Sequence, residues 1–190
     1  MKQRRRRPHR QEHQKRREPE RQKQEQTVSI KEDVLFLGLK ILILAVLLAI
    51  TFLFIFGICR CSDNMMSPAF QDGDLAVYYR LQKDVQPADT VVLEKDGEIQ
   101  VRRVVACAGD EVDITEDGLK INGYLQQEEK IYTETLPYTE GISFPITVGE
   151  GEYFVLGDHR TDATDSRVYG TVKKEEIKGT VITLLRRRGF

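Results

Sequence analysis

The sequence predicts a mainly β chain: an antiparallel β-sheet domain preceded by one transmembrane α-helix. Two observations carry this. Ile41 to Ile58 is a run of eighteen residues without a charge, and the chain after it breaks into short apolar runs separated by turn residues, with no sustained helical period. Charge divides the chain at the same place. Residues 1–33 hold twelve Lys or Arg against six acids, a net +6, whereas residues 59–190 carry a net −8, so the whole-chain value of −1 averages two unlike parts. Such asymmetry points to different surroundings for the two ends.

Three regions follow. Residues 1–33 form a basic, apolar-poor arm that cannot bury enough surface to offset chain entropy and is expected to be disordered. A nucleic-acid-binding tail is disfavoured by the interleaved acids and the lack of aromatic residues, so no nucleic-acid partner is expected. Residues 34–58 form the transmembrane helix. At ~1.5 Å per residue it spans about 37 Å against a hydrocarbon core of ~30 Å, and Lys40 lies close enough to one end to snorkel. A cleaved signal peptide would have a shorter apolar run and a small-residue cleavage site. The lipid bilayer is therefore one partner, and the positive-inside rule leaves the N-terminus cytoplasmic and the C-terminal domain extracytoplasmic.

Residues 59–190 match a single domain in length. Strands are expected at 75–80, 90–94, 98–107, 118–122, 152–156 and 179–185. Lys95-Asp96-Gly97-Glu98 reads as a hairpin turn, with further turns at Asp117-Gly118 and Asn122-Gly123. Residues 124–150, rich in Glu and Thr with Pro137 and Pro145, read as a long solvated insertion. One helical turn is expected near Lys173 to Ile177. Cys59, Cys61 and Cys107 do not make a disulfide framework, and Cys107 reads as a core residue. No metal-ligand spacing or phosphate loop is visible, so neither metal nor small-molecule cofactor is expected.

The chemistry lies in four stretches taken in order. Met65-Met66-Ser67-Pro68-Ala69-Phe70 with the following Gly73-Asp74 resembles the Ser-Met-x-Pro-Thr-Leu and Gly-Asp signature of type I signal peptidases. Ala88-Asp89-Thr90-Val91-Val92 is similar to that family's Gly-Asp-Ile-Val-Val strand. Arg102-Arg103-Val104-Val105-Ala106-Cys107-Ala108-Gly109-Asp110 resembles Lys-Arg-Val-Ile-Gly-Leu-Pro-Gly-Asp. Gly157-Asp158-His159-Arg160 through Asp165-Ser166-Arg167 is similar to Gly-Asp-Asn-Arg-x-x-Ser-x-Asp-Ser-Arg. The resemblance covers residues 61 to about 180 and, with one preceding span, is to the Gram-positive type.

Members of that family cut with a serine nucleophile and a lysine base. Here the dyad positions are held by Met65 and Arg102. A thioether has no proton to give up and no oxygen to acylate, and a guanidinium stays protonated and accepts nothing. Ala163 stands at the position that orients the lysine, and Asp63 at the oxyanion position, where a carboxylate opposes developing negative charge. Ser67 is a weak alternative nucleophile, facing the same way as Met65 if the segment is extended. By the same resemblance Arg103 pairs with Asp158 and Asp165 with Arg167, bracing the cleft, while Met66 and Pro68 belong to the cleft and Met65 and Met66 make its floor apolar. Gly73, Gly109 and Gly157 serve turns or close backbone approach, and His159 reads as a turn residue.

The resemblance with its losses implies a non-catalytic signal peptidase I homologue. It would bind an exported protein or pilin segment in an extended conformation and assist surface assembly, like the dyad-lacking relatives of pilus systems. An active peptidase that removes signal peptides and a structural subunit of an export complex are the two alternatives.

Overall fold

The computed structural model describes residues 9–128 and 131–186. The chain divides into two compact units between Thr51 and Phe52. The first consists of most of one helix, α1 (His9–Ile55). Its Lys31–Ile55 stretch is 25 residues long and apolar enough to cross a membrane. Two expectations change here. Helix begins at His9, within the arm for which disorder was expected. The helix also stops at Ile55, not at residue 58, because Phe56 to Ile58 enter a strand. Residues 1–8 lie outside the described residues.

The second unit is built on strands β1 (Phe56–Arg60), β2 (Leu75–Tyr79), β3 (Thr90–Lys95), β4 (Glu98–Cys107), β5 (Glu111–Thr115), β6 (Gly118–Ile121), β7 (Tyr124–Leu125), β8 (Ile146–Thr147), β9 (Glu152–Leu156), β10 (Val172–Lys173) and β11 (Ile177–Leu185), with one short helix, α2 (Ser166–Tyr169). Seven strands pair in the order β1-β2-β11-β3-β4-β9-β10, and four in the order β7-β6-β5-β8, all antiparallel. The β3–β4 hairpin turns on Asp96 at φ 51° and Gly97 at φ 84°, two consecutive positive values that match a type I′ turn and the right-handed twist of the strands it joins.

Alternation explains how this sheet is buried on two faces. Val91 and Leu93 of β3 enter one apolar cluster with Val104, Val155 and Ile177, while Val92 between them enters a second with Val101, Met66, Phe70 and Tyr78. On β9, Val155 joins the first cluster, whereas Phe154 and Leu156 join a third with Val112, Ile114 and Leu119.

Cys59 and Cys61, two apart on the chain, both pack into the second cluster, and Cys107 packs against the first. Burial, aided for Cys61 by the negative charge of its neighbours, pushes the Cys59 thiol up to about 11 and Cys61 up to about 12. The folded state holds these protons more tightly than the unfolded chain does. Their contribution to stability is therefore complete below the ordinary value of 9.0 and is lost as pH rises towards 11–12. At pH 8 iodoacetamide is expected to label both thiols slowly in the folded chain and rapidly in denaturant, read by mass spectrometry. Equal rates would show the thiols to be open.

Two further expectations are corrected. Residues 124–150 are not simply solvated. Ile142, Phe144 and Ile146 pack against the third cluster and Val148 belongs to it, because every second residue from 142 to 148 is apolar despite the Glu/Thr-rich composition of the whole insertion. The helical turn expected at 173–177 is instead β10 and a turn closed by Glu176 N–H to Lys173 O. The short helix lies at 166–169, where the Asp165 carboxylate accepts from Arg167 N–H and supplies an N-cap.

Candidate functional site

Three segments converge on Met65. The first is the turn from Cys61 to Phe70, held by Ser67 N–H to Asn64 O and Phe70 N–H to Met66 O, both 2.9 Å. Its compactness overturns the extended reading of this segment, and with it the common facing of Met65 and Ser67; Ser67 is not among the residues lining the cleft. Met66 is 1% exposed and anchors the turn in the second cluster, so it belongs to the core and not to the cleft floor. Adjacent side chains of a turn diverge, which leaves Met65 alone facing the cleft. Pro68 is exposed on the turn, outside the cleft lining.

The second segment is the first half of β4, which delivers Arg102. Its side chain is completely buried, and every nitrogen finds a partner. Nε donates to Thr164 O at 3.0 Å, Nη1 to Val101 O at 2.6 Å, and Nη2 lies 2.8 Å from Met65 Sδ. Asp63 Oδ2 sits 3.4 Å from both Nη atoms, while its Oδ1 accepts Met65 N–H at 3.0 Å. The carboxylate placed by sequence at an oxyanion position is thus the counter-ion of Arg102. A buried guanidinium needs one, and Asp63 is the acid salt-bridged to it.

The third segment is the 157–165 loop. His159 N–H donates to Met65 O at 2.9 Å and Thr164 N–H contacts Met65 Sδ at 3.3 Å. Gly157 permits this approach: a Cβ there would come within 2.6 Å of Met65 O and collide with the Cβ of Ala163. Ala163, 1% exposed, is packed into that contact, and its carbonyl accepts from Tyr138 Oη at 3.0 Å. The His159 ring faces outward near Asp162, 3.5 Å away.

Beneath the cleft lie the charge pairs. Arg103 grips Asp158 at 2.8 and 2.7 Å, and Arg167 grips Asp165 at 2.9 and 2.8 Å, both of the latter side chains at most 1% exposed. Asp165 also accepts Gly157 N–H at 3.0 Å. Sequence reasoning passed over three participants. Arg160, fully buried, binds Glu128 at 2.7 and 2.5 Å, Thr135 at 2.5 Å and Gly157 O at 2.8 Å. Tyr138 covers Arg167, its ring centroid 4.2 Å from the guanidinium carbon. Thr164 is the third. Arg160 lies inside a quoted motif and was legible as a bracing residue, but nothing local marks Glu128 or Tyr138 in an acidic insertion.

A groove of about 480 Å³ runs over Met65 and Arg102, walled by Arg60, Ser62 and Asp63 on one side, by Glu98, Ile99 and Gln100 on the other, and ended by Thr164. Strand β4 pairs with β3 from Glu98 to Arg103, and with β9 only from Arg103 to Cys107. Among the described residues, Glu98 to Arg102 therefore have no strand on the side away from β3.

The site thus lies in an antiparallel β scaffold, in a cleft between the Met65 turn and the β4 edge, and the chain ahead of it holds a helix apolar and long enough to cross a membrane. The family model for signal peptidase, peptidase S26, matches residues 34–185, and the chain belongs to this family. It is 31% identical to signal peptidase I of Bacillus licheniformis over 169 residues, covering 82% of this chain and 91% of that one. It is 29% identical to signal peptidase I S of Bacillus subtilis, covering 83% and 91%, and 29% identical to signal peptidase I of Streptococcus pneumoniae, covering 75% and 87%. The crystal structure of a signal peptidase I from Enterococcus faecalis aligns with a TM-score of 0.44 and 29% identity over 53% of this chain and 97% of that one.

Proposed function

We propose that this signal peptidase I homologue is non-catalytic, is anchored with its β domain outside the cytoplasmic membrane, and holds an exported protein or pilin segment in extended form to assist surface assembly. One observation carries the loss of hydrolysis: where nucleophile and base must meet, a thioether and a buried, fully bonded guanidinium are in contact. Neither side chain has an O–H or a neutral amine, and Arg102 has no state in which it could take a proton.

Binding needs neither group. The unpaired side of β4 from Glu98 to Arg102 borders the groove, and an extended chain can add there as a strand, with main-chain bonds supplying affinity. Held this way, a segment would lie between β4 and the Arg60–Met65 wall without being cut.

The full-length chain in detergent, incubated with a fluorogenic signal-peptide substrate, is expected to give no product above a no-protein control, while the uncut peptide binds. Cleavage that disappears in Ser67→Ala would establish an active peptidase instead. Met65→Trp is expected to weaken peptide capture at least tenfold by filling the groove. Partner capture unchanged by that substitution would place the interaction elsewhere, as in a structural export subunit.

A further inference from the structure

The groove does not end at Met65. Thr164 also borders a second cleft of about 390 Å³, lined by Tyr138, Thr139, Glu140, Thr161, Asp162, Ala163 and Val168. Thr164 N–H touches Met65 Sδ and Thr164 O holds Arg102, so the two clefts meet at the residue that overlies the former reaction point. The second cleft differs in charge from the first. The first balances Arg60 and Arg102 against Asp63 and Glu98, whereas the second has two carboxylates, Glu140 and Asp162, and no Lys or Arg in its lining. Asp162 is 76% exposed and its near neighbour is His159; Arg167 lies buried under the Tyr138 ring, already paired with Asp165.

We propose that the held segment passes uncut across Thr164 into this second cleft and that the part lodged there carries a Lys or Arg side chain. The inference rests on the binding function proposed above and names the ligand more closely: an internal stretch of an exported chain, engaged on both sides of the point where an active relative would divide it. An enzyme that cuts releases one side. A domain that does not cut can use contacts on both, and linked contacts gain affinity because the second forms within an already bound chain. Val168 and the Tyr138 ring would carry the aliphatic stem of the side chain, with Glu140 and Asp162 meeting its charged end.

The test uses the full-length chain in detergent and synthetic Ala/Ser/Thr peptides, long enough at ~3.3 Å per residue to cross both clefts. Each carries Lys, Gln or Glu at one position, moved along the peptide in turn. Lys at one or two adjacent positions is expected to bind about tenfold tighter than Gln, with Glu weaker still. The exposed substitutions Glu140→Lys and Asp162→Lys together should reverse that order without altering the melting temperature. Thr139→Trp, at an exposed residue that lines only the second cleft, should weaken long peptides and leave peptides confined to the first cleft unchanged. Binding that ignores the position and sign of the charge, or a Lys preference that survives the reversal, overturns the inference and leaves the proposed function standing. A folded chain that binds none of the peptides overturns both.

Discussion

Turnover of a signal-peptide substrate is expected to become substantial near neutral pH only when four residues are changed together. Met65→Ser supplies an oxygen nucleophile, Arg102→Lys a group that can act as base, and Ala163→Ser the hydroxyl that by family resemblance orients the lysine. These three alone leave Asp63 in place. Its carboxylate lies 3.4 Å from both terminal nitrogens of Arg102, and an ammonium in that position would be held protonated, since a nearby opposite charge favours the charged form by about 1–3 pKa units. Adding Asp63→Asn removes the charge and keeps an oxygen to accept Met65 N–H. The fourfold variant is therefore expected to exceed the threefold one by about 10- to 100-fold near neutral pH, the ratio of their neutral lysine populations. The pH–rate profile checks the cause: the threefold variant's rise should lie at higher pH by about 1–2 units. A folded fourfold variant with no turnover would show that more than side-chain identity separates this cleft from an active one.

Removing the carboxylate of Asp165 is expected to cost the domain about 3–5 kcal/mol, the range for leaving a buried charge without its partner. Three losses coincide. Arg167, 1% exposed, would keep only Leu136 O and Tyr138 Oη as hydrogen-bond partners, Gly157 N–H would lose its acceptor, and α2 would lose its cap. Against a typical total of about 5–15 kcal/mol, Asp165→Ala is expected to leave the domain partly unfolded at 25 °C, read by urea titration of the full-length chain. Asp165→Ala with Arg167→Met should recover much of the loss, because it removes the orphaned charge. Asp117→Ala, which breaks the exposed pair with Lys120, should leave the urea midpoint nearly unchanged, because solvent screens such a pair. A small effect for Asp165→Ala would mean that Arg167 reaches water.

Much of the site was legible in one dimension. The β3–β4 hairpin depends on a short run of residues whose types state their role, while the Met65 and Arg102 positions and the pairs of Asp158 and Asp165 were reached through the family resemblance of four short motifs. Strands β1, β5, β7, β8 and β10 were not read out: β1 continues the apolar run of the helix before it, and the other four are two to five residues long, too short for a period of two to stand out. Asp63 was placed beside the correct neighbours with the wrong task. Sequence locates a carboxylate near a reaction point, but the direction of its oxygens depends on a strand 39 residues away.

What sequence determined by itself is which functional groups are at hand: methionine and arginine have fixed side-chain chemistry whatever the fold around them, and an uncharged run of eighteen residues is apolar enough to cross a membrane. Tertiary structure alone decided what those side chains do instead. Arg102 ties β4 to the Met65 turn and to Thr164, and Met66 turns inward while Met65 faces the cleft. Arg160 fastens the acidic insertion to the motif loop across 32 residues. Such pairings are selected by burial, which lets a charge remain only where a distant partner meets it, and that distance is not written in any local pattern.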